Sequence, residues 1–75
     1  MDVKDLLQQY AAGNRRFLLI NLRKANLVGS NLAGINLSRA NLTEANLARA
    51  KLDQAVLVKT NLTRANLRGA SLIGA

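Results

Sequence analysis

Residues 40–49 read Ala40-Asn41-Leu42-Thr43-Glu44-Ala45-Asn46-Leu47-Ala48-Arg49, two five-residue units of one form. The form continues in both directions, and self-similarity at a fixed period takes precedence over any local reading. Leucine recurs at 22, 27, 32, 37, 42, 47, 52, 57, 62, 67 and 72, a step of five without a break, and Phe17 holds the preceding place. The residue two before each leucine is small or apolar, as Ile20, Ala25, Ile35, Ala40 and Ala65 illustrate. The residue just before it is usually asparagine, at 21, 26, 31, 36, 41, 46, 61 and 66; Lys51, Val56 and Ser71 are the exceptions. The two residues after each leucine vary freely and carry most of the charge.

A period of five suits neither ordinary element. On a helix successive leucines would lie about 140° apart and form no stripe. On a flat strand an odd step sends successive leucines to opposite faces. The pattern becomes coherent if the chain turns a corner in every unit. Four corners close a square coil of twenty residues, with the leucine and the small residue inside and the other three outside. Successive coils then stack at the strand spacing of about 4.8 Å.

Units such as Ala40-Asn41-Leu42-Thr43-Glu44 resemble the pentapeptide repeats, written A(D/N)LXX. The resemblance covers residues 15–75, about twelve units. It implies an all-β solenoid: a right-handed quadrilateral β-helix of about three coils. The handedness comes from the resemblance and not from the spacing. Phe17 for leucine, Ile20 and Ile35 for alanine, and Lys51 and Val56 for asparagine depart from the pattern. Phe17 is expected to fill the wider entrance coil.

Residues 1–14 do not repeat and are expected to form a helical cap on the solenoid of residues 15–75. Asp2 suits an N-cap, and Asp5 three residues later suits a capping-box variant. Gly13 reads as the C′ stop, with Asn14 beside it. Leu6, Leu7 and Tyr10 fall on one helical face and are expected to cover the open end of the first coil, because a solenoid needs its terminal apolar layer covered. The run LLQQYAAGNRRF also resembles the N-terminal helix of some family members.

Composition narrows the function. The chain has 75 residues and no His, Cys, Trp or Pro. No zinc site of the cysteine type and no histidine base can be built. Asp2, Asp5, Glu44 and Asp53 are the only acids; two belong to the helix and two to different sides of the coil, so no acid–base pair or hard-metal cage is expected. Ser30, Ser38 and Ser71 have no histidine to activate them. A non-catalytic interaction module without metal or cofactor is the leading expectation. No apolar run reaches the roughly 20 residues of a membrane span. The acidic start MDVKDLLQQY is no secretory signal. The protein is therefore expected in the cytoplasm, with no membrane partner.

Eleven Lys and Arg against four Asp and Glu give a net charge of +7. Twenty-residue stacking places Arg39 and Lys59 in one column, and Lys24 and Arg64 in the next with Glu44 between them. Either Lys24, Arg39, Lys59 and Arg64 form a stripe for an acidic partner, or they are solvated charges that keep the solenoid soluble. Nucleic acid is the weaker form of the first reading, since no aromatic platform accompanies the stripe. Some family members mimic DNA and bind gyrase; that requires an acidic surface, and +7 has the wrong sign. A regular threonine column for ice binding is also missing. Asn21, Asn41 and Asn61 stack, as do Asn26, Asn46 and Asn66, and are expected to form amide ladders. Gly29 and Gly69, and Gly34 and Gly74, share corner columns that call for a permissive φ.

The repeat runs to Ala75. A last coil without a cap exposes Leu57, Leu62, Leu67 and Leu72 together with unpaired backbone groups. Two expectations follow: a homodimer through residues 56–75, a tail-to-tail arrangement that the resemblance also suggests, or a longer solenoid of which this is a part.

Overall fold

The corner lies in the two residues that follow each leucine. A computed structural model describes residues 1–75. The second residue after the leucine, or after Phe17, has positive φ in every unit, from 54° at Arg64 to 71° at Gly34. From Leu22 onward the leucine carbonyl accepts a hydrogen bond from the N–H three residues on, as Ala40 N–H to Leu37 O at 3.0 Å. Positive φ at the third residue alone, closed by that bond, makes each corner a type II turn. Gly29, Gly34, Gly69 and Gly74 occupy this place, as their spacing predicts. Leu19, Lys24, Arg39, Glu44, Arg49, Gln54, Lys59 and Arg64 adopt the same conformation with full side chains. Each costs about 1–2 kcal/mol. A fully buried leucine contributes about 1.5–3 kcal/mol, so in the units from Leu22 to Leu52 the leucine offsets its own corner.

Between corners the chain pairs in parallel with the residue twenty positions on. Arg16 bridges Asn36, which bridges Val56; Asn21 bridges Asn41, which bridges Asn61. Asn26, Asn46 and Asn66 form the third column, and Asn31, Lys51 and Ser71 the fourth. Residues 15–34, 35–54 and 55–74 thus lie as stacked four-sided layers. The bridges are isolated. Two of every five residues turn, so no side is long enough for a continuous strand.

Inside, the side chains meet as the period requires. Leu27, Leu32, Leu37, Leu42 and Leu47 are wholly buried, and Ile35, Ala40, Ala45 and Ala50 pack beside them. No polar or charged residue is buried.

The helix α1 spans Val3–Ala11. The Asp2 side chain caps it by accepting the Asp5 N–H at 2.9 Å. Asp5 returns no such bond to the Asp2 N–H, so the expected capping box is half formed. At the other end Gly13 N–H donates to Tyr10 O and Asn14 N–H to Gln9 O, both at 3.0 Å. With Gly13 at φ 104° this is a Schellman stop. No helix is long and apolar enough to cross a membrane.

Candidate interaction surfaces

The layer-to-layer hydrogen bonds have a direction. In one unit Leu22 N–H donates to Asn41 O at 2.8 Å and Lys24 N–H to Thr43 O at 2.9 Å. One bond returns, from Asn41 N–H to Ile20 O at 2.9 Å. Each side therefore sends two N–H groups and one C=O toward the C-terminal layer. The head edge of the stack is rich in carbonyls and the tail edge is rich in N–H groups.

α1 lies on the head edge. Leu6 is fully buried and joins Phe17 and the first-layer leucines in one cluster, with Leu7, Tyr10 and Val3 half-buried against it. Hydrogen bonds accompany this apolar cover. The Tyr10 hydroxyl donates to Ala33 O at 2.7 Å, and the Met1 amino group reaches Asn21 O at 3.5 Å. The Arg15 guanidinium lies 3.7 Å from the Tyr10 ring centroid and donates to Tyr10 O at 2.7 Å. Sequence reasoning named Leu6, Leu7 and Tyr10 but missed Val3, Met1 and Arg15. Their roles depend on where α1 sits, which no spacing encodes.

On the tail layer Leu57, Leu62 and Leu67 are half-buried and Leu72 is 40% exposed. Ala55, Val56, Leu57, Val58, Leu72 and Ala75 line an open apolar depression there. Val56 is 42% exposed and Val58 58%, apolar side chains at outward positions. The sequence reading missed this pair, although valine in an asparagine position was the signal.

Lys24, Arg39, Lys59 and Arg64 are all exposed, on the two corners that flank the column of Asn21, Asn41 and Asn61. Glu44 pairs with Arg23 at 3.3 Å rather than with its column neighbours Lys24 and Arg64. With both partners partly exposed this ion pair contributes little. Arg49 and Arg68 extend the positive surface to the next corner.

The expected amide ladders do not form. Each asparagine Oδ1 turns back on its own chain and accepts the N–H two residues on: Asn21 from Arg23, Asn41 from Thr43, Asn61 from Thr63, each at 3.0 Å. Thr43 and Thr63 add their hydroxyls to the same oxygen. No hydrogen bond joins one asparagine amide to the next, so the asparagine primes the corner instead of joining layers. Where Ser71 replaces asparagine, Asp53 of the preceding layer accepts from the Ser71 hydroxyl and, at 3.3 Å, from the Ile73 N–H.

The family model of pentapeptide repeats matches residues 20–57 and 45–75, with eight copies. Among solved structures the chain is similar to HetL, a pentapeptide repeat protein involved in heterocyst differentiation regulation from the cyanobacterium Nostoc sp. PCC 7120. The identity is 36% and the TM-score 0.67, over 100% of this chain and 38% of HetL. It is also similar to alr5209, a pentapeptide repeat protein from the same organism, at 33% identity and a TM-score of 0.51. That match covers 95% of this chain and 75% of alr5209. This chain therefore spans well under half the length of HetL. No curated protein matches it.

Proposed function

The chain belongs to the pentapeptide-repeat family, whose members are generally non-enzymatic interaction scaffolds, and on that premise we propose that it is a non-catalytic protein-binding module. Its architecture on this reading is a right-handed quadrilateral β-helix of about three coils, with α1 as the cap of the first. The observation that carries the proposal is the set of exposed apolar side chains Val56, Val58 and Ile73 at outward positions, 42%, 58% and 75% exposed, with Leu72 beside them. Clustered apolar surface at outward positions marks an association site. Capture from the native cell with the wild-type chain and with Leu72→Asp tests the reading. A partner retained by wild type and lost with the variant supports it; equal capture by both removes the tail layer as the contact.

A specific observation also favours a second reading, a basic module for an anionic partner. Glu44 is engaged by Arg23, which leaves Lys24, Arg39, Lys59 and Arg64 without a carboxylate in ion-pair range. Binding to a nucleic-acid or acidic-peptide probe across a salt series decides it. Phosphate contact requires a steep loss of affinity with salt, and no binding at low salt ends this reading.

A further inference from the structure

Resting on the basic-module reading above, we propose that one lateral face of the stack docks an extended acidic peptide segment of a protein partner, with an apolar side chain of that segment seated on Leu18 and Leu19. The face lies between the corner of Arg39 and Lys59 and the corner of Lys24 and Arg64, and runs along the stack through all three layers.

Asparagines form its floor. Asn21, Asn41 and Asn61 commit their Oδ1 atoms to the backbone N–H groups of Arg23, Thr43 and Thr63. Their Nδ2 atoms have no partner in the chain and remain open to solvent. The walls are cationic. Lys24, Arg39, Lys59 and Arg64 are exposed, with no carboxylate in ion-pair range. Donors down the centre and cations on both sides fit an extended chain whose carbonyls meet the asparagines and whose acids reach sideways to the corners.

Leu19 and Glu44 distinguish a peptide from a plain polyanion. Leu19 is the only apolar side chain at a positive-φ corner, with φ 60° and 73% of its surface exposed. Leucine there carries backbone strain and leaves apolar surface in water. Leu18 beside it is exposed too. An apolar side chain laid on this pair removes that surface from water, and a phosphate chain has none to offer. Glu44 stands between Lys24 and Arg64 in its corner column, tied to Arg23. It repels a uniformly charged strand, whereas a peptide passes it with a neutral residue. The face also has no aromatic ring on which bases would stack: Phe17 is buried, and Arg15 lies over the Tyr10 ring.

The layers set the spacing of the segment. Leu19 and Lys59 are two layers apart, about 10 Å, or about three residues of extended chain. Alternate side chains point to opposite corners. The apolar residue meets Leu19, a neutral residue passes Glu44, one acid falls between Arg39 and Lys59, and the next lies beside Arg64. The segment is of the form Leu-Ala-Glu-Glu.

The test titrates the full chain with the blocked peptide Leu-Ala-Glu-Glu at low salt, followed by amide NMR. The expected result is saturable shifts at Leu19, Arg39, Asn41 and Lys59, with a dissociation constant of about 1 mM or tighter. Leu-Ala-Gln-Gln should give none. Two variants keep the corner geometry, because glycine and glutamine already occupy equivalent corners at Gly29 and Gln54. Leu19→Gly should weaken binding about threefold or more by removing the apolar seat. Arg39→Gln should weaken it about twofold or more, a loss that shrinks with added salt. Binding that both variants leave unchanged, or shifts gathered elsewhere on the chain, overturns the proposal. Retention on an oligo-dT strand or on phosphatidylserine vesicles without peptide shifts overturns it too, while leaving the basic-module reading intact. No binding of any of these probes at low salt ends both.

Discussion

The Tyr10 hydroxyl donates a 2.7 Å hydrogen bond to the Ala33 carbonyl, joining α1 to the fourth side of the first layer. That carbonyl belongs to the head edge, where in the layers above the equivalent group receives a backbone N–H. The helix thus takes one head-edge carbonyl as well as covering the apolar interior. Tyr10→Phe keeps the ring and removes the bond, at a cost of about 0.5–1.5 kcal/mol. For a domain of this size each kcal/mol lowers Tm by about 4–8 °C. A thermal melt checks this; an unchanged Tm would reduce Tyr10 to apolar cover alone.

Burial falls from the middle layer to the tail, and truncation should follow it. Leu37 is fully buried, whereas Leu67 is only half-buried. Leu37→Ala should cost about 2–5 kcal/mol, and Leu67→Ala clearly less. Urea unfolding of the two variants measures the difference. Equal losses would show that the tail leucines are as enclosed as the central ones.

Gly34 has φ 71°, and a Cβ built there meets nothing within 4 Å. Gly34→Ala therefore introduces backbone strain without a clash. Eight other corners carry side chains in this conformation, so the loss should be only about 1–2 kcal/mol. A variant that fails to fold would mean that the corner has a tighter requirement than its geometry displays.

Asn41 uses Oδ1 and not its amide nitrogen: the oxygen accepts the Thr43 N–H at 3.0 Å and the Thr43 hydroxyl at 2.6 Å. Asn41→Asp keeps the acceptor and adds a negative charge to a +7 chain. It should be close to neutral, whereas Asn41→Ala should cost about 1–3 kcal/mol for the part-buried donors it strands. Denaturant midpoints of the two variants separate the local turn bond from any ladder between layers. Equal damage from both would implicate the amide nitrogen.

Legibility in the sequence varied with the range of the interaction. The twenty-residue register, the inward leucines and the corner glycines could be read because each depends on the period or on one residue's backbone. Asp2 and Gly13 could be read as caps because their signals are local. The eight corners with side chains and positive φ could not, since Lys24 or Glu44 is an unfavourable choice there in isolation and is held by the bonds of its layer. The asparagine columns misled for a related reason: stacking was visible in the spacing, but the choice between the next amide and the Arg23 or Thr43 N–H depends on a side-chain torsion.

The sequence by itself determined the repeat and the identity of the inward residues, because a step of five brings successive leucines to one side only if the chain turns in every unit. It also determined the sign of the surface charge, which opposes DNA mimicry. Only the tertiary structure decided how the two ends differ. Parallel pairing sends two N–H groups tailward for each one that returns, so the two edges of a layer are chemically unlike, and at the head edge Tyr10 and Met1 take the Ala33 and Asn21 carbonyls. That asymmetry resides in the direction of backbone hydrogen bonds between layers, which no single repeat unit contains.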